Sequence, residues 1–310
     1  MSQTPLTAPP LGARSRAAVA IPFIIVTLVW SSTWLVIRDQ LGVVPPNWSV
    51  AYRFAVAAVT LLVFGVMTGV RFRLDRRGHL LALAVGLSQF AINFNFVYRA
   101  EAYVTSGLVA VVFALLIVPN AILGWLLLRQ GLSRPFLIGS VVAIGGVALL
   151  FRHEMLNAEL GGDAVLAGIG FSMLGVLCAS LSNVLQATPT GRAQPMIAML
   201  VYAMLWGAAA NAVYAWAIAG PPVFDPRIGY VAGIAYLGMI GSALTFPLYF
   251  QVIRDIGPAR AAYSGVLIPV IAMALSTLFE GYRWSWEAVL GGLLTLAGLV
   301  IALKARSPAR

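Results

Sequence analysis

One charged side chain stands inside a long apolar run and is the first candidate for a binding role. Arg53 lies within the run 47–69, away from the other cations, which fall between such runs. A charge in hydrocarbon is costly, so such a residue usually faces a cavity or a partner, and a ligand carboxylate would be a suitable counter-ion. The alternative is structural. Because Arg53 lies near one end of its run, its side chain can also extend to the membrane surface or bind backbone carbonyls.

Amide side chains in other apolar runs could hydrogen bond the same ligand. Gln89 and Asn93 are four residues apart and therefore share one face of a helix. Asn183 lies in a later run. Amides buried in hydrocarbon need partners, which can be a polar or zwitterionic ligand or a neighbouring helix. The sequence leaves both interpretations open.

Aromatic residues repeat at helical spacing in two of the runs. Trp30 and Trp34 share one helix face, and Tyr202 and Trp206 share another. Rings arranged in this way can wall a cavity for aromatic, aliphatic or lipophilic cationic solutes. Tryptophan is also typical of the membrane interface, and the position of Trp34 near the end of its run favours the interface for that residue. Trp30, Tyr202 and Trp206 are therefore the predicted wall residues.

Residue types needed for catalysis or metal binding are missing from the middle of the runs. The carboxylates, Glu101 and Glu280 among them, fall at run ends or in loops, and Cys178 is the single cysteine. We therefore predict no catalytic residue, no metal site and no cofactor. Since no carboxylate is placed at mid-membrane, a facilitator or an exchanger is at least as plausible as a proton-coupled carrier.

These candidate residues belong to runs long enough to cross a membrane. Of the 310 residues, 61% are hydrophobic and 10% are charged, which is too apolar for a soluble domain. A helix of about 20 apolar residues crosses the hydrocarbon of a bilayer. The pattern predicts an all-α integral membrane protein with ten transmembrane helices, at residues 18–37, 47–69, 78–98, 103–128, 135–151, 164–186, 195–219, 228–250, 258–279 and 287–303.

The net charge of +10 comes from cations clustered between these runs, a pattern of membrane topology and not of nucleic-acid binding. Most of the 20 Lys and Arg residues fall in alternate segments, beginning with the N-terminal one. The other segments hold only Arg38, Arg99, Arg152, Arg227 and Arg283. Because cationic loops stay in the cytoplasm, both termini are predicted to be cytoplasmic. Residues 1–17 are predicted to be a disordered cytoplasmic tail, and residues 307–310 a second tail.

The sequence also repeats itself with an offset of 150 positions. This offset aligns Ser32 with Ser182, Pro45 with Pro195, Tyr52 with Tyr202, Gly107 with Gly257, Pro119 with Pro269 and Gly131 with Gly281. After a two-residue insertion, Gly139 and Gly146 align with Gly291 and Gly298. Five runs in each half is an odd number, so the second half would enter the membrane from the opposite side. The sequence thus predicts two inverted five-helix repeats.

The paired prolines are candidate gating residues. Pro119 and Pro269 fall near the middle of their predicted helices, where each would remove a backbone hydrogen bond and bend the helix. Equivalent bends can serve as equivalent gates. They can equally be packing kinks inherited from one ancestral helix, because prolines are common in membrane helices.

Several of these features together resemble the drug/metabolite transporter superfamily, in particular its ten-helix exporters with two EamA-type domains. They are Trp30-Ser31-Ser32-Thr33, Arg53-Phe54, Pro119, Pro269, Glu280-Gly281 and the Gly-rich fifth and tenth runs. The resemblance covers nearly the whole chain and implies EamA-like repeats at residues 18–152 and 153–306. It departs from the family where Arg129-Gln130-Gly131 stands, because the family often has Glu before this Gly.

The resemblance implies a multi-pass protein of the bacterial inner membrane that exports small organic solutes from the cytoplasm. With one cation inside a run, the residues favour neutral or zwitterionic metabolites such as amino acids, or lipophilic drugs, moved by alternating access. The predicted partners are a small-molecule substrate and membrane lipids, with a homodimer possible. The alternatives are a scaffold or sensor, which would need a soluble domain or long loop, and a lipid-modifying enzyme, which would need a catalytic cluster.

Overall fold

The computed structural model describes residues 16–157, 161–262 and 264–304, and within these ranges the chain is helical without strands. Most of the predicted tail 1–17 and all of the tail 307–310 lie outside the described residues. The main helices are α1 Arg16–Asp39, α2 Pro46–Met67, α3 Arg76–Ala100, α4 Ser106–Leu128, α5 Arg134–Asn157, α6 Gly162–Ala187, α7 Met196–Ala219, α8 Ile228–Ile256, α9 Ser264–Phe279 and α10 Trp286–Lys304. Short helices Pro189–Ala193 and Pro258–Ala261 precede α7 and α9.

Among the described residues, eight helices (α1 to α8) are long and apolar enough to cross a membrane. The apolar parts of α9 and α10, Gly265–Phe279 and Trp286–Ala302, are shorter. Large apolar side chains cover the outside of the bundle: Met67 is 82% exposed and Ile228 is 86% exposed. Such a surface is compatible with lipid rather than water. The protein is therefore a membrane-embedded, multi-pass helical protein, and the all-α prediction is confirmed.

Hydrogen bonds gather three of the cation-rich segments at one end of the bundle. Gln194 Nε2 donates to Asp75 Oδ1 at 3.2 Å, and Arg254 Nη1 donates to the Gln194 carbonyl oxygen at 2.9 Å. At the other end, Arg152 pairs with Glu287 at 3.2 Å. The alternate loops that the charge pattern groups together are thus neighbours in space.

Two helices widen into a π-helix along part of their length. The π-helical segments are Gly86–Asn93 in α3 and Tyr236–Leu244 in α8. Their first residues are 150 positions apart, which is the offset of the sequence repeat. A π-helical turn loosens the main-chain hydrogen-bond ladder and often marks a functional site. In α8, the Ser242 hydroxyl donates to the Leu237 carbonyl oxygen, five residues earlier, at 2.7 Å.

Glycines bring each π-helical segment against the backbone of a neighbouring helix. A methyl group added to Gly86 would lie 2.5 Å from the carbonyl oxygen of Ala203 in α7, and one added to Gly238 would lie 2.9 Å from that of Arg53 in α2. Arg53 and Ala203 are themselves 150 positions apart. The two glycines are 152 positions apart, so the two halves of the chain make similar backbone contacts, and only the first half carries the arginine.

Helices α5 and α10 pack main chain against main chain through the aligned glycines. A methyl group on Gly146 would lie 2.6 Å from the Gly291 carbonyl oxygen, and one on Gly139 would lie 2.5 Å from the Gly298 carbonyl oxygen. The order of the contacts is reversed between the two helices, so they run antiparallel. Such a close approach requires residues without a Cβ atom at the crossing.

The two aligned prolines occupy different positions in their helices. Helix α4 is divided into Ser106–Ala114 and Ile117–Leu128, and the break includes Leu115, four residues before Pro119. In a regular helix, the carbonyl group of Leu115 would clash with the ring of Pro119. Helix α9 begins at Ser264, so Pro269 lies in its second turn and the helix continues through it. The predicted mid-helix position of Pro269 is corrected because the ninth predicted run is divided into a short helix and α9.

We predict that Gly146→Ala lowers stability and that Gly145→Ala does not. The added methyl at position 146 would overlap the backbone of α10, and overpacking of this kind costs about 1–3 kcal/mol. Around Gly145, no atom of another described segment lies within 4 Å of the position a methyl would take, and alanine favours a helix over glycine. Thermal unfolding of the purified protein in detergent, followed by tryptophan fluorescence, measures both variants. Equal melting temperatures would contradict the proposed contact.

Candidate substrate-binding site

A narrow cavity of ≈ 70 Å³ lies between α1, α2, α3, α4, α6 and α8. Its polar lining residues are Thr33, Arg53, Gln89, Asn93 and Asn183. Its apolar lining residues are Trp30, Trp34, Ile37, Phe94, Val97, Phe113, Leu116, Ala179, Phe246 and Tyr249. Pockets that hold drug-sized ligands usually measure about 300–1,000 Å³. A solute larger than a few water molecules therefore fits only after the helices move apart.

The Arg53 side chain is buried in this bundle, with 1% of its surface exposed. Its Nε donates to the Ser242 hydroxyl at 3.0 Å, and its guanidinium carbon lies 4.3 Å from the centre of the Phe94 ring. The ring face attracts the cation. Its Nη1 has no hydrogen-bond partner within the described ranges. Extension to the membrane surface is therefore wrong for Arg53, because α3 and α8 enclose its guanidinium group.

Two tryptophans of α1 form one wall of the cavity. Trp30 Nε1 donates to the Thr245 hydroxyl at 2.9 Å, and its ring lies 4.8 Å from that of Tyr249. Trp34, for which the sequence favours the membrane interface, lines the cavity instead and packs 5.0 Å from the ring of Phe113. Its indole nitrogen is buried and has no hydrogen-bond partner in the described helices. One turn of α1 therefore places both rings on the inner face.

The amides of α3 project into the cavity from the π-helical segment. Gln89 is 5% exposed and Asn93 is 2% exposed. Gln89 Oε1 and Asn93 Oδ1 have no hydrogen-bond partner among the residues that the structure describes. These unsatisfied acceptors favour a ligand-facing role over a link between helices. Asn183 differs, because its Nδ2 also reaches Asn120 Oδ1 at 3.5 Å and so connects α6 to α4.

Tyr202 and Trp206 lie outside the cavity. The Tyr202 hydroxyl donates to the Phe72 carbonyl oxygen at 3.0 Å near the cation-rich end, and Trp206 is 46% exposed. Helix α7 turns Ala203 and Gly207 towards the π-helical segment of α3. The residues that directly precede them therefore point to the periphery, and their positions do not support a role as wall residues.

The lining groups can bind a ligand through complementary charges and hydrogen bonds. Among the described residues, Arg53 and Trp34 each have an N–H without a partner, whereas Gln89 and Asn93 each have an oxygen without one. A carboxylate would satisfy the donors and an ammonium group the acceptors. Among the described residues, no group of three or more His, Cys, Asp or Glu could hold a metal ion. The arrangement suits reversible binding of a zwitterion.

The sequence patterns do not predict Phe246, Tyr249 or Ser242. Ser242 positions Arg53. All three residues lie in or directly after the π-helical segment of α8, where the extra residue rotates the following helix face. Regular helical spacing therefore does not indicate which way they point. The repeat offers one usable signal, because Thr33 and Asn183 are 150 positions apart and both line the cavity.

The chain is similar over most of its length to several bacterial proteins. "Protein PagO" of Salmonella typhimurium is 22% identical, over 94% of this chain and 95% of the relative. The "Uncharacterized inner membrane transporter YedA" of Escherichia coli K12 is 28% identical, over 89% and 88%. The "Probable terminal-alkyne amino-acid exporter" of Streptantibioticus cattleyicolor is 26% identical, over 93% of both chains.

A solved crystal structure superimposes on the fold with a TM-score of 0.69, covering 93% of this chain and 98% of the other at 16% identity. The profile of the EamA-like transporter family matches residues 18–152 and again residues 166–304. These two matches confirm the resemblance noted in the sequence and cover nearly the whole chain. The protein belongs to the EamA-like transporter family.

Proposed function

We propose that this protein exports small zwitterionic or neutral metabolites, amino acids in particular, from the bacterial cytoplasm by alternating access. Lipophilic drugs of similar size remain within the proposed range of substrates. The proposal rests on Arg53. This buried residue lines an aromatic cavity and has an N–H without a hydrogen-bond partner in the part of the chain that the structure describes. A charge is retained in such a place when it has a binding or transport role. Membership of a transporter family supports transport, and the printed name of one relative specifies an amino acid as its cargo.

The composition of the cavity supports a zwitterion over a polyanion. A nucleotide sugar or a phosphorylated metabolite needs several charge-assisted donors. The cavity lining supplies one cation, Arg53, with acceptors at Gln89 and Asn93 for a positive group. The surrounding rings, such as Trp34 and Phe113, suit an apolar or aromatic side chain.

Alternating access requires two halves that can exchange conformations, and we propose ten transmembrane helices in two inverted five-helix repeats. The antiparallel crossing of α5 and α10 supports this arrangement, because repeat-related glycines contact each other in reversed order. The π-helical segments support it too, since they begin at equivalent positions of the two halves. An inverted pair can open the same central site to either side of the membrane.

Hydrogen bonds close the cavity at its cytoplasmic end and would have to part for loading. Arg254 Nη2 donates to Gln186 Oε1 at 3.1 Å, and Asn120 Nδ2 donates to the Pro258 carbonyl oxygen at 3.3 Å. Asn120 follows Pro119 directly, on the part of α4 beyond the break at Leu115. Movement about this break would separate Asn120 from the second half. Pro119 is accordingly the proposed hinge of the inner gate.

Proteoliposome efflux tests the proposed function and the role of Arg53. Vesicles are loaded with labelled L-phenylalanine or with L-phenylalaninamide, which lacks the carboxylate. We expect saturable efflux of phenylalanine, and we expect Arg53→Gln to lower it by about 10-fold or more, since a hydrogen bond to a charged group contributes about 1.5–3 kcal/mol. Efflux of the amide should change little.

Arg99→Gln is the matched control, because Arg99 is also a cation of the first half but contacts Tyr214 at the surface, away from the cavity. It should leave both rates at the native value. Equal losses of both solutes in Arg53→Gln would reject the carboxylate contact, and absence of efflux for both solutes in the native protein would reject the proposed function.

The same assay separates the two tryptophan positions. Trp34→Ala should reduce phenylalanine efflux, because it removes a cavity wall and a free N–H. Trp206→Ala should leave efflux at the native rate, since that ring is largely exposed on the periphery. The reverse order of effects would restore Trp206 as a wall residue and remove Trp34.

Both termini are proposed to be cytoplasmic, with the cation-rich end of the bundle inside. A green fluorescent protein fused after Arg310 should fluoresce in cells, and alkaline phosphatase at the same position should be inactive. A phosphatase fused in the segment between α1 and α2 should be active. An active C-terminal phosphatase would reverse the assigned orientation.

A further inference from the structure

A thin layer of protein separates the cavity from a groove at the outer end of the bundle. The groove measures ≈ 710 Å³ and its lining includes Arg38 and Glu280. In α1, Ile37 lines the cavity and the next residue, Arg38, lines the groove. At the end of α3, Val97 lines the cavity, and the backbone N–H of Glu101 donates to its carbonyl oxygen at 3.0 Å. Glu101 therefore lies one helical turn outward from the cavity.

Glu101 is an unusual residue in this layer because its carboxylate is buried without hydrogen-bond partners among the described residues. It is 0% exposed, and both of its carboxylate oxygens are buried and lack a hydrogen bond in the described part of the chain. A buried ionised carboxylate needs compensating hydrogen bonds or ion pairs. A neutral carboxylic acid requires much less compensation. The surroundings of Glu101 thus favour its protonated form.

Three charged groups act on Glu101, each from a different helix or helix end. They are Arg38 of α1, Arg53 of α2 and Glu280 directly after α9. Glu280 is held in place, since it accepts from the Ser106 hydroxyl at 2.6 Å and its Oε1 lies 3.9 Å from Arg38 Nε. Burial, and next the charge of Glu280, raises the pKa of Glu101 well above its usual range, while Arg38 and then Arg53 oppose this rise.

We propose that Glu101 is the proton-binding site of this transporter, loaded from the outer groove and linked through Arg53 to the substrate cavity. The step is a simple protonation. A proton from the groove forms an O–H bond with one carboxylate oxygen, and the same bond breaks when the proton leaves. No electron transfer or other co-reactant is involved.

The link to the cavity rests on the proposed function, in which Arg53 lies between the substrate carboxylate and the carboxylate of Glu101. When a substrate carboxylate binds the guanidinium group, its negative charge offsets the positive charge that favours ionised Glu101. The proton affinity of Glu101 therefore rises on substrate binding. By thermodynamic reciprocity, protonation of Glu101 strengthens carboxylate binding by the same factor. Solute and proton can therefore occupy the protein at the same time.

Infrared spectroscopy of the full-length protein tests the proton site without any substrate. We expect a protonated-carboxyl band near neutral pH that Glu101→Gln abolishes and Glu101→Asp retains at a shifted frequency. Arg38→Gln and Arg53→Gln should each move the pH midpoint of this band upward by about one unit, because each removes an opposing cation. Glu280→Gln should move it downward, because it removes a like charge.

Arg227→Gln is the control, since Arg227 also lines the groove but pairs with Asp225 at 2.6 Å and is not among the charges that act on Glu101. It should leave the midpoint unchanged. Absence of the band between pH 5 and 9, or a band that survives Glu101→Gln, would overturn the proton site.

Adding L-phenylalanine should move the midpoint upward in the native protein, and L-phenylalaninamide should not. A band that responds to Arg38→Gln but not to phenylalanine, in protein that does export phenylalanine, would overturn the link to the cavity alone. If phenylalanine is not exported either, the proposed function fails while the substrate-free titration still decides the proton site.

Discussion

A guanidinium group in a helix bundle surrounded by lipid has to be solvated by the protein itself, and the centre of this structure is arranged around that requirement. Arg53 Nε donates a hydrogen bond to the Ser242 hydroxyl, and the guanidinium group packs on the face of the Phe94 ring. Ser242 is available because it lies in a π-helical turn, and that turn approaches α2 closely because Gly238 has no side chain. Solvating one cation therefore fixes the relative positions of α2, α3 and α8. Among the described residues it leaves one Arg53 N–H without a hydrogen-bond partner, and the proposed substrate site depends on that donor.

The two halves of the chain share backbone contacts but have diverged in side chains. The contact that Arg53 makes with Gly238 resembles that of Ala203 with Gly86, so the helix packing is similar in the two halves while the arginine is present in one. The first half contributes the cation and the amides of α3, whereas the second half contributes the rings of α8. The proposed exchange between two conformations would depend on equivalent packing. Recognition of an asymmetric solute would depend on the side chains that differ between the two halves. A duplicated chain can supply both the equivalent packing and these different side chains.

The fold was accessible from the sequence because hydrophobic run length and cation placement are averaged over many residues. Within the site, Arg53, Gln89 and Asn93 were accessible for a different reason: polar groups are rare in such runs, and burying them demands partners. Tyr202 and Trp206 show the limit. Their spacing correctly places them on one helix face, but which face points inward is set by where Ala203 and Gly207 meet α3. A π-helical turn rotates the part of the helix that follows it. Regular helical spacing therefore does not indicate which residues beyond the turn point inward.

The crossing of α5 and α10 has a consequence for how the chain is made. Helix α5 completes the first half, yet the surface that its glycines require is supplied by α10, which leaves the ribosome well after α5. Until α10 has been synthesised, the Gly139 and Gly146 face of α5 remains without its partner in the bilayer. Insertion of α10 is therefore the event that closes the bundle. A chain truncated before α10 would carry an uncovered glycine face in its first half.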